Sequence, residues 1–192
     1  MEPATIMIIR HAEKPEPGTS HGVTPDGHHD SRSLTVPGWV RAGALITLFA
    51  CDTRASPRGL RRPDRVCGAG FRHGHSKREI QTVGPLAARL GVEVDTRYRS
   101  GEEARLAEEV RSLPGTTLIC WHHNTIHDIV GNLGAVTPDP PRRWPADRFD
   151  VVWTFAGSTT YWQFAQVPQL SLPGDLEEPI TVPSRGRLRS LP

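Results

Sequence analysis

The stretch Ile6-Met7-Ile8-Ile9-Arg10-His11-Ala12-Glu13-Lys14 decides how this chain is read. Four consecutive apolar residues have the character of a fully buried strand. The run stops abruptly at an arginine, a histidine, a glutamate and a lysine. In an open α/β sheet, ligands sit outside the carboxyl ends of the strands. A strand that delivers Arg10 and His11 to such an end marks a place for chemistry on an anion. The plain alternative is a strand that runs out into solvent.

Outward from this stretch, strand and helix signals alternate. Residues 4–10 are the first strand. Residues 15–33, with Pro15, Pro17, Gly18, Gly22, Pro25 and Gly27, read as a long loop of the kind that often serves as a lid. Thr35 is an N-cap and Pro37 lies in the first turn of a helix over 36–50. Its apolar face is expected at Val40, Ala44 and Leu48, flanked by Leu45 and Phe49. A strand near Arg65–Ala69 and a helix over 77–90 follow, with Ile80, Val83 and Leu90 inward and Pro85 bending it. Val92–Asp95 reads as a short strand, and Ser100 with Glu103 as a capping box opening a helix to about Ser112. Thr116–Trp121 is a strong strand and Thr125–Leu133 a short helix ended by Gly134. Strands at Phe149–Phe155 and Thr159–Val167 join near Gly157-Ser158.

Such alternation predicts a three-layer α/β/α fold, a mostly parallel sheet with helices on both faces. The last two strands are expected to pair antiparallel at an edge. The catalytic domain is expected over residues 1–168. Residues 169–192, rich in proline and including Arg185, Arg187 and Arg189, are expected to form a poorly packed C-terminal tail.

Composition narrows the function. The 192 residues fit one domain with a full core. Lysine and arginine number 23 and aspartate and glutamate 21, a net charge of +2, which is no nucleic-acid signature. Basic residues do gather at Arg54, Arg58, Arg61, Arg62, Arg65, Arg72, Lys77 and Arg78, but apart from Arg78 a solvated loop accounts for them. Cys51, Cys67 and Cys120 are too few and too far apart for a disulfide framework or zinc site, and Cys120 sits in an apolar run. The N-terminus has no signal-peptide pattern. No stretch approaches the ~20 apolar residues that cross a bilayer. The expectation is a cytoplasmic protein without nucleic-acid or membrane partners, acting on a small phosphorylated substrate. Its oligomeric state is not encoded in any motif.

The phosphorylated substrate follows from the residue types. A phosphoryl group carries its charge on oxygens that need several fixed cationic donors. Arg10, His11, Arg78 and the pair His122-His123 all fall at strand ends or beside strands, so one sheet edge could gather them.

The pattern resembles the histidine phosphatase superfamily, the phosphoglycerate mutase-like fold, over roughly residues 4–167. RHAEK is similar to its Arg-His signature after the first strand. Leu34-Thr35, Gly38 and Arg41-Ala42 resemble its LT-x-x-G-x-x-RA element, Arg78, Gln81 and Thr82 its R-x-x-QT motif, and His122 through Ile126 its H-x-NTI motif. The resemblance implies that His11 takes the phosphoryl group as a phosphohistidine. Arg10, Arg78 and the later histidine would bracket the phosphoryl oxygens, with no metal or cofactor needed, and water would then release phosphate.

Two roles stay open at this level. Spacing to Asn124, Thr125 and Ile126 makes His122 the phosphate ligand, whereas some relatives carry Trp-Glu-His, and anchoring on Trp121 selects His123. A strand continuing through both would send them to opposite faces and make the roles exclusive. No motif fixes the general acid. With Glu103 assigned to the capping box, Glu102 and Asp128 are the candidates. Glu13 and Lys14 would tune the pocket or pair with each other. His21, His28, His29, His73 and His75 fit no metal spacing and read as loop residues.

The expected function is therefore a cofactor-independent phosphatase acting on a phosphomonoester. The alternatives are a phosphoglycerate mutase-like phosphoryl transferase and a phosphate-binding regulatory protein without turnover. A short chain with no large insertion to shelter the phosphohistidine from water favours hydrolysis.

Overall fold

The computed structural model describes residues 4–18, 20–50, 59–71 and 76–181. Cys51, Arg54, Arg58, Arg72, His73, His75 and the arginines after 181 lie outside the described residues. Strand β1 (Ala4–Arg10) is followed by α1 (Val36–Phe49), β2 (Arg65–Gly68), α2 (Arg78–Leu90) and β3 (Val94–Asp95). Then come α3 (Glu103–Ser112), β4 (Thr116–Trp121), α4 (Ile126–Gly131), β5 (Ala135–Thr137), β6 (Val151–Gly157) and β7 (Tyr161–Pro168).

The strands form one sheet in the order β3-β2-β4-β1-β6-β7-β5. β1 with β4, β4 with β2, β2 with β3, and β5 with β7 pair parallel, while β6 runs antiparallel to both β1 and β7. The sheet is thus mostly parallel, as expected. The expected antiparallel pair is present but does not form the edge, because β5 adds outside β7. Three residues without strong alternation gave β5 no signal in the sequence.

The two faces of β1 divide the core. Met7 and Ile9 join Leu118, Cys120 and the α1–α2 side, with Leu45, Phe49, Val83, Leu86 and Ala87. Ile6 and Ile8 join Ile119, Trp121 and the α3–α4 side, with Leu106, Ala107, Val110, Ile126 and Ile129. Burial on both faces is why β1 and β4 read as unbroken apolar runs.

Helix α1 begins as expected, with Thr35 Oγ1 accepting from Gly38 N at 3.2 Å. Its buried face is different: Gly38, Arg41, Ala42, Leu45 and Phe49 turn inward, and Val40 is exposed. Two polar demands rotate it. A Cβ on Gly38 would lie 2.6 Å from the Glu13 carbonyl oxygen, so the loop after β1 passes close there. Arg41 is buried between two carboxylates, at 2.8 Å from Glu13 Oε1 and 2.7 Å from Asp175 Oδ1, with Gln169 Oε1 at 3.1 Å. Glu13 therefore pairs with Arg41 rather than Lys14, which meets Glu16 at 3.5 Å.

Residues 169–181 pack on the domain instead of trailing from it. Gln169 and Ile180 are buried, Ile180 N donates to Gln166 Oε1 at 3.0 Å, and Asp175 holds Arg41. Among the described residues no helix is long and apolar enough to cross a membrane.

The Glu13–Arg41–Asp175 cluster joins three distant segments, and removing its central cation strands two buried carboxylates. Arg41→Met should cost about 3–5 kcal/mol of folding free energy, read as a lower urea midpoint at unchanged slope.

Candidate active site

Parallel pairing brings the carboxyl ends of β1, β4 and β2 to one sheet edge. Arg10 stands opposite Trp121, and Gly68 opposite Cys120. One residue further, His11 N donates to the Trp121 carbonyl at 3.3 Å, so the β1–β4 ladder carries into the site.

Arg10 is only 1% exposed. Its Nη1 donates to the carbonyls of Pro145 (3.4 Å), Ala146 and Arg148 (3.4 Å). Its guanidinium carbon lies 3.9 Å from the centre of the Phe149 ring. Nε and Nη2 are buried and have no protein partner. Burial pulls the guanidinium down to about 10, against the opposing fields of Asp147, Glu16, Glu13 and Glu79. It remains a cation at neutral pH.

His11 is 5% exposed. Its Nδ1 lies 2.7 Å from the Ala12 carbonyl, which can only accept, so the proton sits on Nδ1 and Nε2 carries the lone pair. Burial drives this imidazole down to about 4; Glu79 opposes the shift, and Arg10 and Arg78 reinforce it. His11 is therefore a neutral imidazole with a fixed tautomer. Its loop is braced from α2, where Thr82 Oγ1 accepts from Ala12 N at 2.8 Å and donates to the Arg78 carbonyl at 2.7 Å.

Arg78, the first residue of α2, sends Nε to the Ser33 carbonyl (3.3 Å) and Nη2 to that of Ser31 (2.6 Å). It reaches the site as a charge acting on His11 and also ties down the 15–33 loop. Gln81, from the same motif, accepts from Leu34 N at 3.0 Å and donates to Ser33 Oγ at 2.9 Å. In that loop the His21 and His29 rings stack 5.0 Å apart. Among the described residues no group of three or more His, Cys, Asp or Glu could hold a metal ion.

Strand β4 ends at Trp121, so both adjacent histidines lie beyond it, and strand alternation does not make their roles exclusive. The His122 carbonyl accepts from Thr125 N and Ile126 N, both at 3.1 Å, in the turn that opens α4. The His122 Nδ1 lies 2.8 Å from Glu79 Oε1, an ion pair off the axis of a good hydrogen bond. Burial lowers the His122 pKa, but Glu79 outweighs it and the net shift is upward. His123 lies in the field of Arg10 and Lys14 instead. Burial first, then those charges and His122, lower it to about 4.

The capping box at Ser100 and Glu103 is not formed. Glu102 occupies the N-cap position of α3 without a side-chain cap. Buried Glu103 accepts from Trp121 Nε1 at 3.1 Å and from Gly101 N at 2.8 Å. A buried indole N–H needs an acceptor, and that demand overrides the local cap. Glu102 accepts from Arg99 N at 3.1 Å and Arg105 Nη1 at 2.6 Å, which leaves its carboxylate committed. Asp128 is exposed and paired with His127 at 3.2 Å.

Two parts of the site escaped the sequence. One is the 145–149 segment, whose carbonyls and Phe149 ring enclose Arg10. The other is Glu79, 1% exposed, beneath His11 and His122. The available signal for Glu79 was its place three residues before Thr82, on the same helix face. A cavity of about 490 Å³ opens beside this pair and is lined by Phe71, Arg99 and Glu102 as well as Glu79 and His122.

No protein-family model matches the chain, and no curated protein matches it in sequence. Solved structures do. The protein histidine phosphatase SixA complexed with tungstate superposes with a TM-score of 0.57 at 15% identity, covering 86% of this chain and 97% of that one. Chains assigned as SixA phosphohistidine phosphatases from Nakamurella multipartitia and Agrobacterium tumefaciens give TM-scores of 0.51 and 0.50 at 19% and 13% identity. They cover 87% and 85% of this chain, and it covers 96% and 95% of theirs. The chain thus shares the fold of these SixA structures, the phosphoglycerate mutase-like α/β fold that the resemblance of its motifs implied.

Burying His11 as a neutral ring has a consequence for stability. Its folded pKa, about 4, lies below the usual 6.5, so the unfolded chain binds the proton more readily. The contribution is fully present above pH 6.5 and is lost as pH falls toward 4. His11→Gln should flatten this decline, removing about 3 kcal/mol of the pH dependence, as measured by urea unfolding at stepped pH.

Proposed function

We propose that the chain is a metal-independent phosphatase that hydrolyses a small phosphomonoester through a phosphohistidine on His11. One observation carries the proposal: a buried guanidinium with two unpaired donors, Nε and Nη2 of Arg10, stands beside a neutral imidazole whose Nδ1 is already bonded. A buried cation with donors to spare suits an anion, and a neutral Nε2 suits attack on phosphorus. That the similarly folded SixA forms a complex with tungstate, a tetrahedral oxyanion, is in keeping with an oxyanion substrate.

In this mechanism Nε2 of His11 attacks the phosphorus in line with the departing oxygen. Arg10 donates to the phosphoryl oxygens, and Arg78 and His122 add positive charge as they come to share the transition-state charge. Water then breaks the P–N bond. His122 is preferred over His123 because its bond to Glu79 favours the charged ring, whereas Arg10 and Lys14 disfavour charge on His123.

A panel of phosphomonoesters, run beside protein phosphohistidine (a phosphoramidate) because the SixA neighbours are named as histidine or phosphohistidine phosphatases, should give turnover that resists exhaustive chelation. With labelled substrate, wild type quenched in alkaline detergent should retain an acid-labile, alkali-stable phosphoryl group, and His11→Ala should lose both label and activity. Full activity in His11→Ala defeats the proposal.

The two histidines should separate in the same assay. Loss of a donor aimed at the transition state typically costs ~100- to 1,000-fold in rate. His122→Ala should fall in that range at similar melting temperature, with His123→Ala less affected. The reverse order moves the ligand role to His123.

A further inference from the structure

We propose that Glu79 is a positioning residue that makes His122 the proton donor to the leaving group, which occupies the cavity that the two side chains share. The proposal rests on the phosphatase reading above and fills the role that no motif fixes.

Glu79 lies in the first turn of α2, almost wholly removed from water, with Oε1 2.8 Å from His122 Nδ1 and Oε2 3.4 Å from Ser76 Oγ. A carboxylate at that depth needs a cationic partner. His122 supplies it, and the contact occupies Nδ1. The other ring nitrogen, Nε2, then carries a proton that it can release. His122 is part-exposed on the wall of the 490 Å³ cavity, so an outgoing oxygen can reach it.

Other charges face the pair from each packed element. Arg78 lies beside Glu79 on α2, Glu102 and Glu103 lie at the start of α3, and Arg99 precedes them. Arg10 and His11 lie at the end of β1, and His123 follows His122. Within that field burial raises the Glu79 carboxyl, but His122 and His11 outweigh it and hold the carboxylate ionised. Glu79 in turn holds His122 above its usual range, while His11 falls to about 4. Two imidazoles in the field of one carboxylate thus shift in opposite directions. Environments that drive titratable groups apart assign the acid and the nucleophile.

The step balances. His11 Nε2 forms the P–N bond as the P–O bond to the leaving group breaks, and the departing oxygen keeps the electron pair and takes the proton from His122 Nε2. In the second half, water attacks phosphorus, the P–N electrons return to His11, and the proton of that water passes to neutral His122. The sum is ester and water to alcohol and phosphate.

A donor matters most for a poor leaving group. Rates of wild type, Glu79→Gln and Glu79→Asp would be compared on dinitrophenyl, phenyl and alkyl phosphates. Glu79→Gln should lose about 100-fold or more on the alkyl ester and a distinctly smaller factor on the dinitrophenyl ester, whose leaving group needs no proton. Glu79→Asp should restore part of the alkyl rate. Circular dichroism and the melting temperature test folding independently of the rates. Should Glu79→Gln not fold, wild type decides: its alkyl-ester rate should fall as pH rises through the His122 pKa, without a matching limb for the dinitrophenyl ester. Uniform loss on all esters, or matching pH profiles, overturns the proposal alone if the His11 phosphohistidine still forms. Absence of that phosphohistidine in wild type overturns it together with the phosphatase reading.

Discussion

The site depends on a guanidinium held out of water. Arg10 ends the central strand β1, between β4 and β6, where both faces of the sheet are covered. A cation there loses hydration, which is why burial leads the forces on its pKa. The chain compensates incompletely: one nitrogen turns to the carbonyls of 145–148, and Phe149 covers the face with its π system. Two donors remain without protein acceptors. That residual demand selects for an anion at this spot more strongly than a surface arginine could.

Holding the proposed nucleophile, His11, beside such a cation needs a rigid loop, and most motif residues serve as its braces. Thr82 fixes the Ala12 amide, and Thr35, which caps α1, donates to the Glu13 carbonyl from both Oγ1 (3.2 Å) and N (3.0 Å). Gly38 lets that carbonyl approach, and Arg41 clamps the Glu13 side chain to Asp175. Gln81 and Arg78 hold Ser31, Ser33 and Leu34 from α2. Of the recognised motifs, then, only Arg10, His11, Arg78 and the later histidines touch substrate in the proposed mechanism. The others set where these may stand.

Legibility in the sequence followed the range of the forces. β1, β4 and the N-cap of α1 were readable because apolar runs and caps are local. The inward face of α1 was not, since Arg41 is buried by Asp175 from far along the chain, which no hydrophobic period anticipates. Ser100 and Glu103 had the right spacing for a cap, yet the Trp121 indole took the carboxylate. Likewise the turn at 145–149 looked like a connection, and residues 169–181 like a tail. Each is held by partners distant in sequence: Arg10 for the first, Arg41 and Gln166 for the second. For the same reason the bracketing cations were visible as residue types, whereas Glu79, which sets the charge on one of them, was not.

Three histidines of identical chemistry show how far environment decides role. His11 is neutral because burial and two arginines oppose a further charge. His123 is pushed the same way by burial, Arg10 and Lys14. His122 feels burial too, but it alone touches Glu79, and that one contact reverses the sign. Proximity in sequence therefore says little: neighbours at 122 and 123 shift in opposite directions, whereas residues 11 and 123, far apart, shift the same way. The end of β4 at Trp121 makes this possible, since the chain has left the strand and can turn each ring toward a different wall. On the proposed reading, such a site needs no unusual residue to divide labour between nucleophile and donor, only one carboxylate placed nearer to one ring than to the others.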